Sequence, residues 1–424
     1  MKAPFRPSLL LLFVFSLAFH SAFASKILIP MDEKEQKQHL KAYGIAYFVL
    51  GKQQKVDWLL NYRGGSFVFD HYLELERECK IRGVSYTILP DVQYTAILEE
   101  IADPDANMDI VRLEKLPKIA VYTPDNKQPW DDAVTMALTY AEIPFEKIYD
   151  TDILEDKLIK YDWLHLHHED FTGQYGKFYA AYNQAPWYIE EVQKNEAMAK
   201  KHGFKKVSAL KLAVAKKIKE FVIGGGYLFA MCSATDSYDI ALSAEGLDIC
   251  ERMYDGDAAD PQAQSKLNYG NTLAFKDFKL VTNPLEYEYS DIDMTTQRKV
   301  PFNTDYFTLF TFSAKFDPVP SMLCQNHTTT IKGFMGQTTA FKTSRIKTST
   351  TILGENKAVG EARYIHGDLG KGTWTFYGGH DPEDYQHQVD DPPTDLSLHP
   401  NSPGYRLILN NVLFPAAKKK PQKT

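Results

Sequence analysis

Short apolar runs alternate along this chain with longer stretches in which apolar residues recur every three or four positions, the pattern of strands followed by amphipathic helices. The stretch from Val207 to Val222 is the clearest case. Leu210, Leu212, Ala213, Val214, Ile218, Phe221 and Val222 fall at helical spacing, with Lys211, Lys216, Lys217 and Lys219 on the other positions, so a helix with one buried face is predicted. Gly224, Gly225 and Gly226 then supply the left-handed ending that other residues resist. Tyr227 to Met231 is short, apolar and flanked by turn signals, which predicts a buried central strand. Cys232 comes where that strand must turn into the next helix.

The same alternation organises the rest. Residues 26 to 115 read as a small α/β unit, with strands at 26–30, 56–61 and 84–89 and helices at 33–50, 72–82 and 92–101. Asp103-Pro-Asp-Ala-Asn107 is a turn-rich break and the predicted boundary. A second unit, 116–415, carries strands at 118–122, 145–149 and 163–167, a helix at 130–141, and the long helix and strand that lead to Cys232. This repetition predicts an α/β fold with a doubly wound, mostly parallel sheet. Between about 272 and 372 the pattern shifts to alternating β-branched residues, with strands expected at 307–312, 329–334, 340–347, 351–353, 362–366 and 373–377 as an extension or β appendage. The segment 172–205, rich in Tyr, Gln and Lys, reads as an insertion whose aromatic residues either form a substrate-gathering lid or pack against the sheet.

Composition changes this picture in three places. The first 24 residues have a positive start (Lys2, Arg6), an apolar centre and Ala22-Phe23-Ala24 as a cleavage site, so a signal peptide is expected, giving an exported, periplasmic or extracellular protein without a membrane span. A net charge of −7 with 44% hydrophobic residues is an ordinary globular balance and argues against nucleic acid as a partner; the basic tail, 416–424, reads as a solvated end. Four cysteines without Cys-x-x-Cys spacing exclude a zinc ribbon or a disulfide-dense scaffold. One disulfide among Cys79, Cys250 and Cys324 is compatible with export, leaving Cys232 free.

No cofactor fingerprint is present. Tyr62-Arg63-Gly64-Gly65-Ser66 lacks the lysine of a phosphate loop and reads as a tight turn rather than an anion site. Asp255-Gly-Asp-Ala-Ala-Asp260 lacks the rest of a calcium loop and also reads as a turn. Chemistry concentrates elsewhere. Cys232 lies at the carboxyl end of a central strand, where ligands gather in open α/β sheets, and small Ala230 and Ala234 flank it, as a sharp strand-to-helix turn requires. His165, His167, His168, Glu169 and Asp170 end another strand. They read as a base with its orienter, as metal ligands, or as structural histidines; consecutive residues facing opposite sides of a strand disfavour the metal. The last strand leads into Gly378-Gly379-His380-Asp381-Pro382-Glu383, where His380 is a candidate general base and Glu383, or alternatively Asp381, its orienting acid.

Gly-Gly-Gly-Tyr-Leu-Phe-Ala-Met-Cys-Ser-Ala, ending at Ala234, resembles the nucleophile elbow of the class I glutamine amidotransferase-like superfamily, with alanines where that family usually has glycines. The resemblance implies a flavodoxin-like fold and a catalytic set of Cys232, His380 and Glu383, although the family spaces its histidine and glutamate two residues apart rather than three. The stretch Gly370 to Glu383, followed by Tyr405 to Leu413, is similar to the closing segment of ThuA-like domains, which belong to the same fold superfamily and are associated with sugars. Bacterial proteins of this look tend to be labelled asparagine synthetase B, but the Ser-Gly-Gly-x-Asp-Ser loop and a mature amino-terminal cysteine are both missing. The expectation is an exported cysteine-dependent hydrolase or amidotransferase-like enzyme acting on a carboxamide or related C–N bond, with no cofactor and no assigned metal. The alternative is a ThuA-like sugar-binding protein, non-catalytic or metal-dependent, with His167, His168 and His380 as the residues that would hold the metal. The partner expected is a small amide or sugar-derived substrate.

Overall fold

The computed structural model describes residues 25–125 and 128–418. The expected signal peptide and all but the start of the basic tail lie outside the described residues. The chain forms two sheets with helices, one sheet antiparallel and one mixed.

The first sheet contains β1 (Ser25–Ile29), β2 (Val56–Leu60), β3 (Ser66–Asp70), β4 (Thr87–Pro90) and β5 (Asp109–Leu113), in the order β4-β1-β3-β2-β5. Every pair in it is antiparallel. Two of these strands, β3 and β5, are not in the sequence reading. The reason for β3 is the turn before it. Asn61, Arg63, Gly64 and Gly65 all take positive φ, so the chain reverses within a few residues and Ser66 to Asp70 returns along β2 as a hairpin. The Arg63 guanidinium contacts Asp32 at 2.8 Å and Glu35 at 2.7 Å, so this loop is a turn tied by ion pairs. The helix His39–Gly51 starts six residues later than predicted, because the segment before it is held as a turn by the Gln36 side chain bonding Pro30 O and Ser85 O.

The second sheet has β6 (Ile119–Tyr122), β7 (Glu146–Ile148), β8 (Trp163–Leu166), β9 (Tyr227–Met231), β10 (Tyr306–Leu309), β11 (Thr330–Lys332), β12 (Phe341–Lys342), β13 (Thr351–Asn356), β14 (Glu361–Leu369) and β15 (Gly372–Tyr377). Its order is β11-β10-β13-β14-β15-β9-β8-β6-β7, with β12 on β14. The strands from β7 to β15 run parallel and those beyond are antiparallel. The sheet is therefore mixed, and the β-rich segment continues it edge to edge.

Alternation along the parallel strands divides the core. Val121, Trp163, Phe229 and Met231 face one layer, which includes Val134 and Leu138 of the helix Ala133–Tyr140 and Leu409 and Val412 of the helix Pro403–Leu413. Ala120, Leu164, Leu228 and Ala230 face the other, with Leu210, Val214 and Ile218 of the helix Val207–Gly224. The helix Pro186–Lys201, with Pro at its first position, fills the segment read as an insertion. All four cysteines are free, so the disulfide that was possible among Cys79, Cys250 and Cys324 is not formed; Cys79 and Cys324 pack with one core cluster and Cys250 with the other. No helix among the described residues is long and apolar enough to cross a membrane.

One consequence of strand order places the site. From β6 the chain moves outward to β7, then returns to β8 on the other side of β6. The loops leaving β6 and β8 diverge there, and a crevice opens beyond their carboxyl ends.

Candidate functional site

Cys232 has φ +52°. A left-handed backbone at a residue with a Cβ is strained and persists only where its surroundings over-determine it. Here Ala234 N–H donates to His167 O at 2.9 Å and the Thr235 hydroxyl to Cys232 O at 2.7 Å. These bonds tie the turn after β9 to the end of β8, and the small residues Ala230 and Ala234 leave room for it. The thiol is buried and pushed up to about 12, first by burial and then by Asp293 and Asp236 behind it, while the N–H groups of Ser233 and Gln337 pull the other way.

His380 follows β15, the strand next to β9. Its N–H bonds to Met335 O at 2.9 Å, and Gly379 N–H bonds to Thr338 O at 3.0 Å. The 334–339 segment that accepts these bonds also carries Gln337, whose N–H faces the Cys232 sulfur. Arg363 holds that segment through Thr339 O at 2.8 Å and Phe334 O at 2.6 Å. A Cβ added at Gly336 would lie 2.6 Å from His380 N and 2.9 Å from its Cβ. Gly336→Ala should therefore displace His380, costing about 1–3 kcal/mol in denaturant unfolding and any ligand affinity that depends on the imidazole. Unaltered stability and ligand binding would show that the segment shifts freely.

The acid on His380 is Asp131, whose Oδ1 lies 3.1 Å from Nε2. This corrects the assignment of Glu383. The Glu383 carboxylate pairs with His399 at 3.2 Å, because Asp381 Oδ1 takes the Glu383 N–H and turns the loop away. Burial lowers the His380 imidazole, with Asp131 opposing, and the hydrogen bond to His380 helps hold the Asp131 carboxyl low against its own burial.

More imidazoles converge than the strand pattern predicts. β8 ends at Leu166, so His167 and His168 escape its alternation and both turn toward His380. Ring centroids are 4.6 Å apart for His167 and His380 and 4.8 Å for His167 and His168, and His387 stacks on His380 at 4.5 Å. His165 is a supporting residue, bonded to Phe229 O and to Asp132, which also caps the helix Ala133–Tyr140. Glu169 turns to the other side of the crevice, beside Tyr149, Glu191 and Lys211, and burial pushes it up to about 8. Asp170 accepts Thr172 and Gly176 N–H groups and serves the loop.

Cys232, His168, His380 and His387 line one cavity of about 340 Å³. Its other wall is aromatic. Trp130 stacks on Phe178 at 5.3 Å, and Tyr182 and Tyr287 join them. Phe178 and Tyr182 come from the inserted segment, and Trp187 packs behind them. Sequence reasoning missed Asp131, Asp132 and His387. Trp130-Asp131-Asp132, two acids at a helix start beyond a strand, is the signal that could have found the first two; His387 stands in no pattern.

No family profile matches this chain, and no curated protein is similar to it. Among solved structures it has distant likenesses to the cytoplasmic proteins STM3548 (11% identity, TM-score 0.34, 72% of this chain and all of that one) and STM1381 (13%, 0.35, 71% and all) of Salmonella typhimurium. It also has one to a catalytic mutant of Gan42B, a GH42 beta-galactosidase from G. stearothermophilus (11%, 0.25, 62% of this chain and 27% of that one). Likenesses this weak assign neither a fold nor a function.

Proposed function

We propose that this chain is an exported hydrolase that cleaves a carboxamide or related C–N bond with Cys232 as nucleophile. The observation that carries the reading is the left-handed Cys232 at the end of β9, on the same cavity as His380 at the end of β15. Helices on both faces of the parallel strands support a doubly wound, flavodoxin-like organisation and the resemblance to the amidotransferase-like superfamily. In the reaction the Cys232 sulfur attacks the carbonyl carbon and its proton passes to His380, which Asp131 orients. The amine leaves with that proton, and water cleaves the thioester to a carboxylic acid and restores the thiol. The Ser233 and Gln337 N–H groups, which face the Cys232 sulfur, would receive the oxyanion that forms beside it. Burial raises the thiol, so the thiolate forms only as the imidazole takes its proton.

A panel of primary and substituted carboxamides, assayed with wild type and Cys232→Ala, tests this. Turnover that falls by about 10³-fold or more in the variant is expected, together with trapping of Cys232 by an amide-derived electrophile. Turnover indifferent to the substitution would end the thiol reading.

A second reading has its own observation. The aromatic wall of Trp130, Phe178 and Tyr287 opposite the histidines suits the apolar face of a sugar ring, and the buried Trp130 N–H has no partner. It supports a metal-dependent or purely binding role toward a sugar-derived ligand. Glycan-dependent thermal stabilisation that survives Cys232→Ala would favour it.

A further inference from the structure

His167, His168 and His380 each offer a ring nitrogen, and the three nitrogens lie within 4.8 Å of one another. Two independent features mark this group as more than packed aromatics. His167 is 1% exposed, yet neither of its ring nitrogens makes a hydrogen bond, and Nδ1 of His168 is likewise buried without a partner. Buried imidazole nitrogens are ordinarily satisfied, yet Nε2 of His167 and Nδ1 of His168 have no partner, and Nδ1 of His167 has only the Asp132 carboxylate at 3.4 Å. The second feature is the support behind them. Asp131 accepts from Nε2 of His380, which fixes that ring and leaves Nδ1 with the lone pair, and Asp132 lies 3.4 Å from His167. A carboxylate behind each of two imidazoles is the arrangement that orients histidines toward a metal and raises their basicity.

We propose that His167, His168 and His380 form a binding site for a divalent transition-metal ion, zinc foremost, with its remaining position open to the cavity. Three neutral imidazoles suit a borderline ion and not magnesium or calcium, which take oxygen ligands. The two nearby carboxylates balance the ion's charge. Tetrahedral zinc with bonds of about 2.0–2.1 Å places its nitrogens about 3.4 Å apart, so each ring need close by less than about 1 Å. His168 and His380 both line the cavity, hence the fourth position faces the space shared with Cys232 and the aromatic wall. An open fourth position is the mark of sites that bind or activate a ligand.

Two of the other groups of potential ligands, Asp248 with Cys250 and Asp255, and Asp132 with His165 and His167, lack this character. Asp248 and Asp255 are neutralised by Lys206, which contacts them at 2.6 and 2.9 Å, and His165 has both nitrogens engaged. The proposal does not rest on the thiol reading. An ion and thiol chemistry would compete for the same His380 nitrogen, so the two are separable.

The test uses the full chain, stripped with a chelator and checked for a cooperative melting transition. Zinc is titrated against a chromophoric chelator, and cobalt(II) replaces it for absorption spectroscopy. One equivalent per chain is expected, with the visible bands of four-coordinate cobalt and no thiolate charge-transfer band. Cys232→Ser should leave both results unchanged. His168→Gln, at a half-buried position, should weaken zinc binding by about 100-fold or more, and Asp131→Asn by about 10–100-fold. The wild-type cobalt spectrum reads the coordination even if a variant fails to fold. Binding of neither metal, affinity unaltered by His168→Gln, or loss of binding in Cys232→Ser would each overturn the assignment.

Discussion

Arg298→Leu should destabilise this protein by about 3–5 kcal/mol, the cost of leaving buried charge without its partner. The Arg298 guanidinium bonds both oxygens of Asp305, at 2.7 and 2.9 Å, and Nε reaches Glu361 at 2.9 Å. All three side chains are buried, at 3%, 2% and 2% exposure. With Arg363 nearby the set is balanced, two cations and two carboxylates. Removing Arg298 leaves one uncompensated negative charge beside the 334–339 segment that positions His380. Denaturant unfolding near neutral pH measures the loss. The deficit should shrink in acid, because Asp305 is held below its ordinary value by Arg298 and Arg363 against its burial, and that contribution disappears as the carboxyl is protonated. A deficit under about 1 kcal/mol would mean that water reaches the carboxylates when the arginine is gone.

The second large effect is a loss of stability between about pH 6.5 and pH 5, before ordinary carboxylates titrate. His39 and His327 stack at 4.5 Å beside Arg406, whose Nη1 is 3.2 Å from His327 Nδ1. His39 Nε2 bonds Met31 O, and Tyr43 and Asn401 close the surroundings without a carboxylate. Burial, then the Arg406 charge, lowers His39 to about 3 and His327 to about 4. In the unfolded chain both return to about 6.5 and bind protons there that the folded state refuses. Stability is therefore complete above about pH 6.5 and falls as the pH drops below it, by about 3 kcal/mol at pH 5 for the two together after allowance for partial solvent access. His366, lowered to about 4 by burial, adds in the same direction. Urea unfolding of wild type and His327→Gln across this range isolates one share, and the variant should show a slope shallower by nearly one proton. Equal slopes would mean that His327 is protonated in the folded protein.

Much of the architecture was legible in local pattern. The Val207 helix, its glycine ending and the Tyr227 strand follow from periodicity and backbone freedom, and the observed bounds, Val207–Gly224 and Tyr227–Met231, agree with them. Cys232 at the strand end, with small neighbours, was readable for the same reason. The helix Pro186–Lys201 was not, because its apolar residues contact the aromatic cluster and leave no clean stripe. β5 was missed because a half-exposed edge strand, Asp109-Ile-Val-Arg-Leu113, needs its partner β2 to be recognised.

What the sequence by itself determined is therefore the set of elements with strong local periodicity and the placing of Cys232 and His380 at strand ends. Only the tertiary structure decided that the first sheet is antiparallel, that Asp131 rather than Glu383 meets His380, and that His167 and His168 converge on it. The physical reason is range. Helix periodicity and glycine turns act within a few residues, whereas Asp131 and His380 are 249 positions apart and meet only because β6 and β15 end at the same edge of one sheet.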